Sequence, residues 1–446
     1  MLKKWKKMSQ TRLIALSFFC VILAGTFLLT LPWASRTGEW TSPLNALFTA
    51  TSATCVTGLI VYDTYCHWSL FGQIVIICLI QIGGLGLMTI ISLLAVFTKR
   101  RIGLGERRLL MISSGNMRMS GVIRLIQKVA VITFVCEGIG ALVLACSFVP
   151  QMGIVRGCYN AIFHSISAFC NAGFDLMGRF KEGSSLALYE QNVAVMLPLA
   201  ILIVVGGIGF QVWSDLHENG FHVKKYSLHT KVALLSTGAL LFGGWLLYFI
   251  FENKYHLNGM TLPEKLLSSG FMSATTRTAG FAGFDLSQLS QSGSMLTIIL
   301  MLIGGCPGST AGGIKATTIA VMVMSVIGMS RGDTDITVFK RRLNKELIKH
   351  AAVICFVYVS VVLAATMTIC TIEHASLASV LFETSSAMGT AGLSQGLTAQ
   401  AGDVSKVILI VLMYGGRIGG LSLLSVFAER KKEAPHKRPA ERIMIG

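Results

Sequence analysis

Hydrophobic and polar positions alternate along this chain on two length scales. Apolar stretches long enough to cross ~30 Å of hydrocarbon occupy positions 13–34, 70–97, 129–149, 193–213, 232–251, 295–326, 351–372 and 407–427. Between them lie shorter amphiphilic stretches at 43–53, 158–169, 263–274 and 377–387, each a few residues ahead of a glycine. These are too short to span, and at membrane depth they read as re-entrant helices shielded by protein. The predicted order is span, half-helix, glycine loop, span, four times over. That is an all-α integral membrane protein of eight transmembrane helices in four pseudo-symmetric repeats around a central pore. The first span follows the basic segment KKWKK, as a signal peptide would. Its apolar core is longer than a signal h-region, so it is read as retained.

Composition agrees with the pattern. Of 446 residues, 53% are hydrophobic and only 13% charged, against about 25% charged in soluble domains. A water-soluble globule is excluded. The net charge of +17 suggests nucleic acid until it is mapped. The two tails and the even-numbered connections hold 28 Lys/Arg and 9 Asp/Glu; the other face holds 8 and 11. By the positive-inside rule both termini are cytoplasmic and the glycine loops enter from outside. The charge is thus a topology signal, with membrane lipids as its partner and no nucleic acid. The 11 cysteines form no CxxC pair or metal spacing, and Cys20, Cys78, Cys136 and Cys355 fall in apolar stretches as small hydrophobes.

The repeat is explicit in the residues. Gly58, Gly173, Gly280 and Gly392 lie in SATCVTGL, SAFCNAGF, ATTRTAGF and SAMGTAGL, separated by 115, 107 and 112 residues. A glycine pair follows in the second span of each unit, at 83–84, 206–207, 304–305 and 415–416. A re-entrant helix aims its C-terminal carbonyls, carrying about half a negative charge, at the membrane interior. The loop after it offers carbonyls that can replace an ion's hydration shell. Glycine turns such carbonyls one way because it adopts positive φ cheaply. The expected units are 1–98, 99–223, 224–340 and 341–429, with a tail at 430–446.

These units resemble the pore repeats of the Trk/Ktr/HKT superfamily of potassium transporters, and among them the membrane subunit of bacterial Ktr systems. The motifs that carry the likeness are TATSATCVTGLIVYDT, FHSISAFCNAGFDL, TRTAGFAGFDL, SSAMGTAGL, IQIGGLGLM and the closing RIMIG. The resemblance implies a potassium filter built from the backbone carbonyls of four quartets. They are Cys55, Val56, Thr57 and Gly58; Cys170, Asn171, Ala172 and Gly173; Arg277, Thr278, Ala279 and Gly280; and Gly389, Thr390, Ala391 and Gly392. Glycine at all four filter positions resembles the potassium-selecting members. A sodium-preferring or sodium-coupled transporter on the same scaffold is the alternative reading.

Within the span at 295–326 the segment GGCPGSTAGGIK makes a continuous helix improbable. Pro307 removes a hydrogen bond, and Gly304, Gly305, Gly308, Gly312, Gly313, Ser309 and Thr310 weaken what remains. A broken helix must line water or protein, which sets Cys306, Ala311 and the rest of 304–315 on the ion path. The resemblance implies an intramembrane loop that blocks the pore and moves aside for conduction. The segment lacks the GK[ST] ending of an ATP-binding loop. Arg417, deep in the eighth span, needs a carboxylate, carbonyls or water; the resemblance makes it a gate element. Lys315 joins the gate or snorkels to the surface. Arg277 is predicted to point away from the ion and pair with Glu383 first and Asp285 second. Glu137 is read as a packing acid.

No covalent cofactor is expected, and K+ is the transported ion. The resemblance further implies a homodimer in a bacterial cell membrane, seated on a cytosolic RCK ring that binds ATP, ADP or NAD(H), with sodium as a further activator. The stretches 98–124 and 430–442 are candidate docking surfaces. An intramembrane enzyme would need a nucleophile and base; His164 beside Ser165 is the nearest pair and has no evident carboxylate, so no enzyme is expected.

Overall fold

The computed structural model describes residues 10–86, 122–332 and 335–419. The distal parts of the spans expected at 70–97 and 407–427, the basic stretch up to 121, and the tail with RIMIG lie outside the described residues. Four groups of helices follow one another. The first holds α1 (Gln10–Thr30), α2 (Pro43–Cys55) and α3 (Leu70–Leu85); the second holds α4 (Val122–Met152), α5 (Ile154–Phe169), α6 (Val193–Ile208) and α7 (Phe210–Asn219). The third holds α8 (Leu228–Glu252), α9 (Leu262–Thr275), α10 (Gln291–Leu302) and α11 (Ala316–Ser330). The fourth holds α12 (Lys345–Glu373), α13 (Leu377–Gly389) and α14 (Asp403–Ile418).

The leading helix of every group is long and apolar enough to cross a membrane, over Arg12–Thr30, Ile126–Met152, Leu228–Glu252 and Lys345–Glu373. Their flanks stay uncovered: Phe27, Leu142 and Met367 are each about 70% exposed. Helices suit this environment because each backbone donor and acceptor is satisfied within the segment. The short helices α2, α5, α9 and α13 lie inside this wall. Their C-terminal halves are fully buried and rich in Ser and Thr, as in Thr49 to Cys55 and Glu383 to Gly389. Local sequence sets their starts. Pro43 opens α2, a Thr261–Glu264 capping box opens α9, and the Ser376 hydroxyl accepts from the Ser379 N–H at the head of α13.

The second helices are where the sequence reading needs correction. The span expected at 193–213 is two helices, α6 and α7, meeting at 93°. The break is Gly209 at φ +104°, and the Phe210 N–H leaves the helix ladder to donate to the Gly308 carbonyl at 2.8 Å. Likewise α3 ends on Gly86 at φ +83° and α14 on Gly419 at φ +89°. The interruption expected at 304–315 is present, between α10 and α11.

Candidate functional site

The four expected quartets meet. A side chain on Gly58 would strike the Ala172 carbonyl oxygen at 2.6 Å, and one on Gly173 would strike that of Ala279 at 2.7 Å. One on Gly280 would strike that of Ala391 at 2.8 Å, and one on Gly392 would overlap that of Thr57. Each glycine therefore sits against the carbonyl just before the glycine of the next unit, and the fourth closes onto the first. This is a ring in chain order around one axis. Its residues are buried throughout.

The backbone explains which way the oxygens face. The fourth residue of each quartet is glycine at positive φ, +95°, +69°, +80° and +85° in chain order. The second residue is also left-handed, although none is glycine: Val56, Asn171, Thr278 and Thr390 at φ +57°, +59°, +67° and +52°. Left-handed residues at alternate positions turn successive carbonyls to one side. Each strained residue costs on the order of 1–3 kcal/mol and persists only when its surroundings enforce it. They do so by engaging the amides. Thr57 N–H donates to Ser52 O, Ala172 N–H to Ser167 O and Ala391 N–H to Ser386 O, all at 2.8 Å, while Ala279 N–H donates to Thr275 O at 2.9 Å. Side chains complete the frame, with Gly58 N–H donating to the Ser52 hydroxyl and the Ser167 and Thr275 hydroxyls donating to the carbonyls of Phe174 and Phe281. Among the described residues no hydrogen-bond donor engages the carbonyls of 56–58, 171–173, 278–280 or 390–392. The left-handed second residues escape sequence reading because three of the four are β-branched.

The segment 303–315 packs against the open side of this ring, where the quartets begin. Gly304 N–H donates to Ile314 O and Ala316 N–H to Gly305 O, which closes the loop at its base. Its tip docks on the second unit, through Cys306 N–H to Gly207 O of the broken helix at 2.9 Å and through the Thr310 hydroxyl to Phe169 O at the end of α5 at 3.2 Å. Gly312 faces the Thr390 side chain, and Gly313, at φ +65°, faces the Gly389 carbonyl. Arg417 fastens the loop across the axis. One guanidinium nitrogen donates to the Thr310 carbonyl and the other to the Gly83 and Gly84 carbonyls. The arginine thus uses carbonyl partners. Lys315 does not snorkel; its ammonium turns back to the carbonyls of Ala311, at 2.7 Å, and Gly312.

Arg277 points away from the ring, toward the Thr237 carbonyl at 3.4 Å, but its expected carboxylate partners are elsewhere. Glu383 accepts from the Ser394 hydroxyl, the Gln395 N–H and the Thr398 hydroxyl, bracing the chain just after Gly392. Asp285 caps its own turn at Ser287. Both carboxylates are satisfied by local donors, which removes any need for the arginine. His164, at the place in α5 matching Glu383 in α13, braces its own loop by accepting from Leu176 N–H at 3.4 Å. Its other nitrogen meets Asn160 O, and Ser165 donates to Glu137 O, so the two form no nucleophile and base couple.

Four buried half-helices whose ends close a ring of carbonyls, set among long apolar helices, define a helical membrane protein. The chain belongs to the TrkH family of cation transport proteins, whose model matches residues 6–436. It is 42% identical to the potassium/sodium uptake protein NtpJ of Enterococcus hirae, covering 99% of this chain and 98% of the relative. It is 38% identical to Ktr system potassium uptake protein B of Bacillus subtilis, covering 96% and 95%. The crystal structure of the potassium transporter TrkH from Vibrio parahaemolyticus shares its fold at a TM-score of 0.75 and 19% identity, over 95% of this chain and 86% of that one. The family is one of transporters, not enzymes.

Proposed function

We propose that this chain is the potassium-conducting membrane subunit of a Ktr-type uptake system. A potassium ion sheds water at the ring and is held by the carbonyls of the four quartets, with membrane potential as the driving force. The observation that carries the reading is the closed cycle of glycine against carbonyl, which lines up four copies of one ion ligand set. Glycine at all four positions supports potassium over sodium. The loop at 304–315 is the gate, latched by Arg417, whose carbonyl partners on two units make it a releasable strap. Opening requires those bonds to break and the loop to withdraw from Thr390 and Asn171.

The wider assembly follows the same reading: eight crossings in units 1–98, 99–223, 224–340 and 341–429, both termini cytoplasmic, in the cell membrane of a bacterium. The active form is a homodimer on a cytosolic RCK ring that binds the nucleotide, with sodium as activator. Relatives named as Ktr system proteins and the basic excess on one face support this arrangement. The test is potassium uptake in a transport-deficient host, co-expressed with a cognate ring. Wild type should restore growth at low potassium, and Gly280→Ser, at φ +80° and 2.8 Å from Ala391 O, should abolish the preference for potassium over sodium. Failure of wild type, or an unchanged preference in the variant, overturns the proposal.

A further inference from the structure

Behind the second quartet a polar contact is set into an otherwise apolar, packed wall. A groove of about 350 Å³, open on the outer flank, runs between α3, α4 and α5, lined by the exposed Phe134 and Ile162 and by Ile77, Ile166, Gln81 and Glu137. Cys170, the first residue of the quartet, is fully buried and reaches Gln81 and Glu137 from the ring side. Gly84 presses on it from one side, where a Cβ would come within 2.7 Å of the thiol sulfur. From the other side its thiol meets Gln81 Oε1 at 3.6 Å and Glu137 Oε1 at 3.9 Å. Gln81 Nε2 in turn donates to both Glu137 oxygens, at 3.1 and 3.3 Å. Gln81 comes from the second helix of the first unit and Glu137 from the leading helix of the second, so the pair joins two units directly behind the ring. Glu137 is 5% exposed, and a buried carboxylate is retained at a cost unless it is hydrogen-bonded.

We propose that Gln81 and Glu137 are a positioning pair that sets the ion preference of the second quartet. Resting on the carbonyl-ring reading, this assigns Glu137 a role beyond helix packing. With the pair intact, Cys170 is fixed and the carbonyls of Asn171 and Ala172 keep their spacing. Without it, Cys170 loses its polar stop on the side away from Gly84, and the ring relaxes toward a looser, less selective aperture. The pair acts through Cys170 and touches no ion.

The experiment compares K+ and Na+ uptake by reconstituted protein with its cytosolic ring. Gln81→Leu should lower the K+/Na+ preference by about fivefold, the scale of one net hydrogen bond, with maximal K+ flux nearly kept. The swapped double variant Gln81→Glu with Glu137→Gln rebuilds the pair in reverse and should restore the preference. Filling the groove with Ala141→Leu in the Gln81→Leu background should also restore it in part, a rescue expected if the single variant acts by loosening what backs Cys170. An unchanged preference in Gln81→Leu, or a swap as impaired as the single variant, overturns the proposal. If Gly280→Ser leaves the preference unaltered in the same assay, the ring itself is at fault and not the pair.

Discussion

At the scale of single residues, the site is a balance between strain and restraint. Val56, Thr278 and Thr390 occupy a conformation that β-branched residues avoid. Thr390→Gly should therefore leave the protein as stable as wild type or more so, yet lower its K+/Na+ preference because the turn becomes free to move; thermal melting and uptake together check this. Gly173→Ala should be far worse than Gly38→Ala. The first puts a methyl 2.7 Å from Ala279 O and 2.8 Å from Gly280 Cα, whereas the second, in an outer loop, meets nothing within 4 Å. A pH effect belongs here too. Asp175, in the connection just beyond Gly173, is pushed up from 3.8 to about 6, chiefly by burial and partly by Asp63. Its native form holds the proton more tightly than the unfolded chain, so its stabilising contribution is full below about pH 4 and lost as pH rises through about 6. Asp175→Asn should flatten the fall in melting temperature between about pH 4 and pH 6.5. A parallel slope in the variant would remove Asp175 from the account.

At the scale of elements, the short helices and the broken one were legible for different reasons. The four half-helices announced themselves by length and by a glycine in phase, and the loop at 304–315 by Pro307 among glycines. The bend at Gly209 did not, because 193–213 is apolar but for Gln211 and the bend is held from another unit, where the Phe210 N–H donates to the Gly308 carbonyl. The same limit hid the partners of Arg277 and Glu383, since local donors from Ser394 and Thr398 are found only once the chain has folded back. Loop docking leads to a directional prediction. Gly312→Ala would press a methyl into Thr390, and Arg417→Gln would cut the strap to Thr310 and Gly83. Both should raise basal K+ flux several-fold in the absence of activating nucleotide. Flux at or below the wild-type level would mean that the loop does not hold the path shut.

At the scale of the whole molecule, the proposed orientation rests on the positive-inside rule and can be tested directly. The turn at Thr37 to Trp40 and the hairpin joining Thr337–Val338 to Arg341–Arg342 are both exposed, at opposite ends of the leading helices. In a background whose exposed native cysteines are replaced by serine, a membrane-impermeant thiol reagent on intact cells should label Glu39→Cys and spare Arg341→Cys until the membrane is permeabilised. The reverse pattern would invert the topology while leaving the ring intact.

Because the four walls of the ring are written into one polypeptide, each can be altered alone. In an assembly of identical subunits any substitution strikes every wall at once and tends to be all or nothing. Here a change at Cys170 or Arg277 reaches one quarter of the perimeter and, through the head-to-tail seating of glycine on oxygen, leans on a single neighbour. If the ring is the filter proposed above, ion preference can thus be tuned by degrees, one sector at a time.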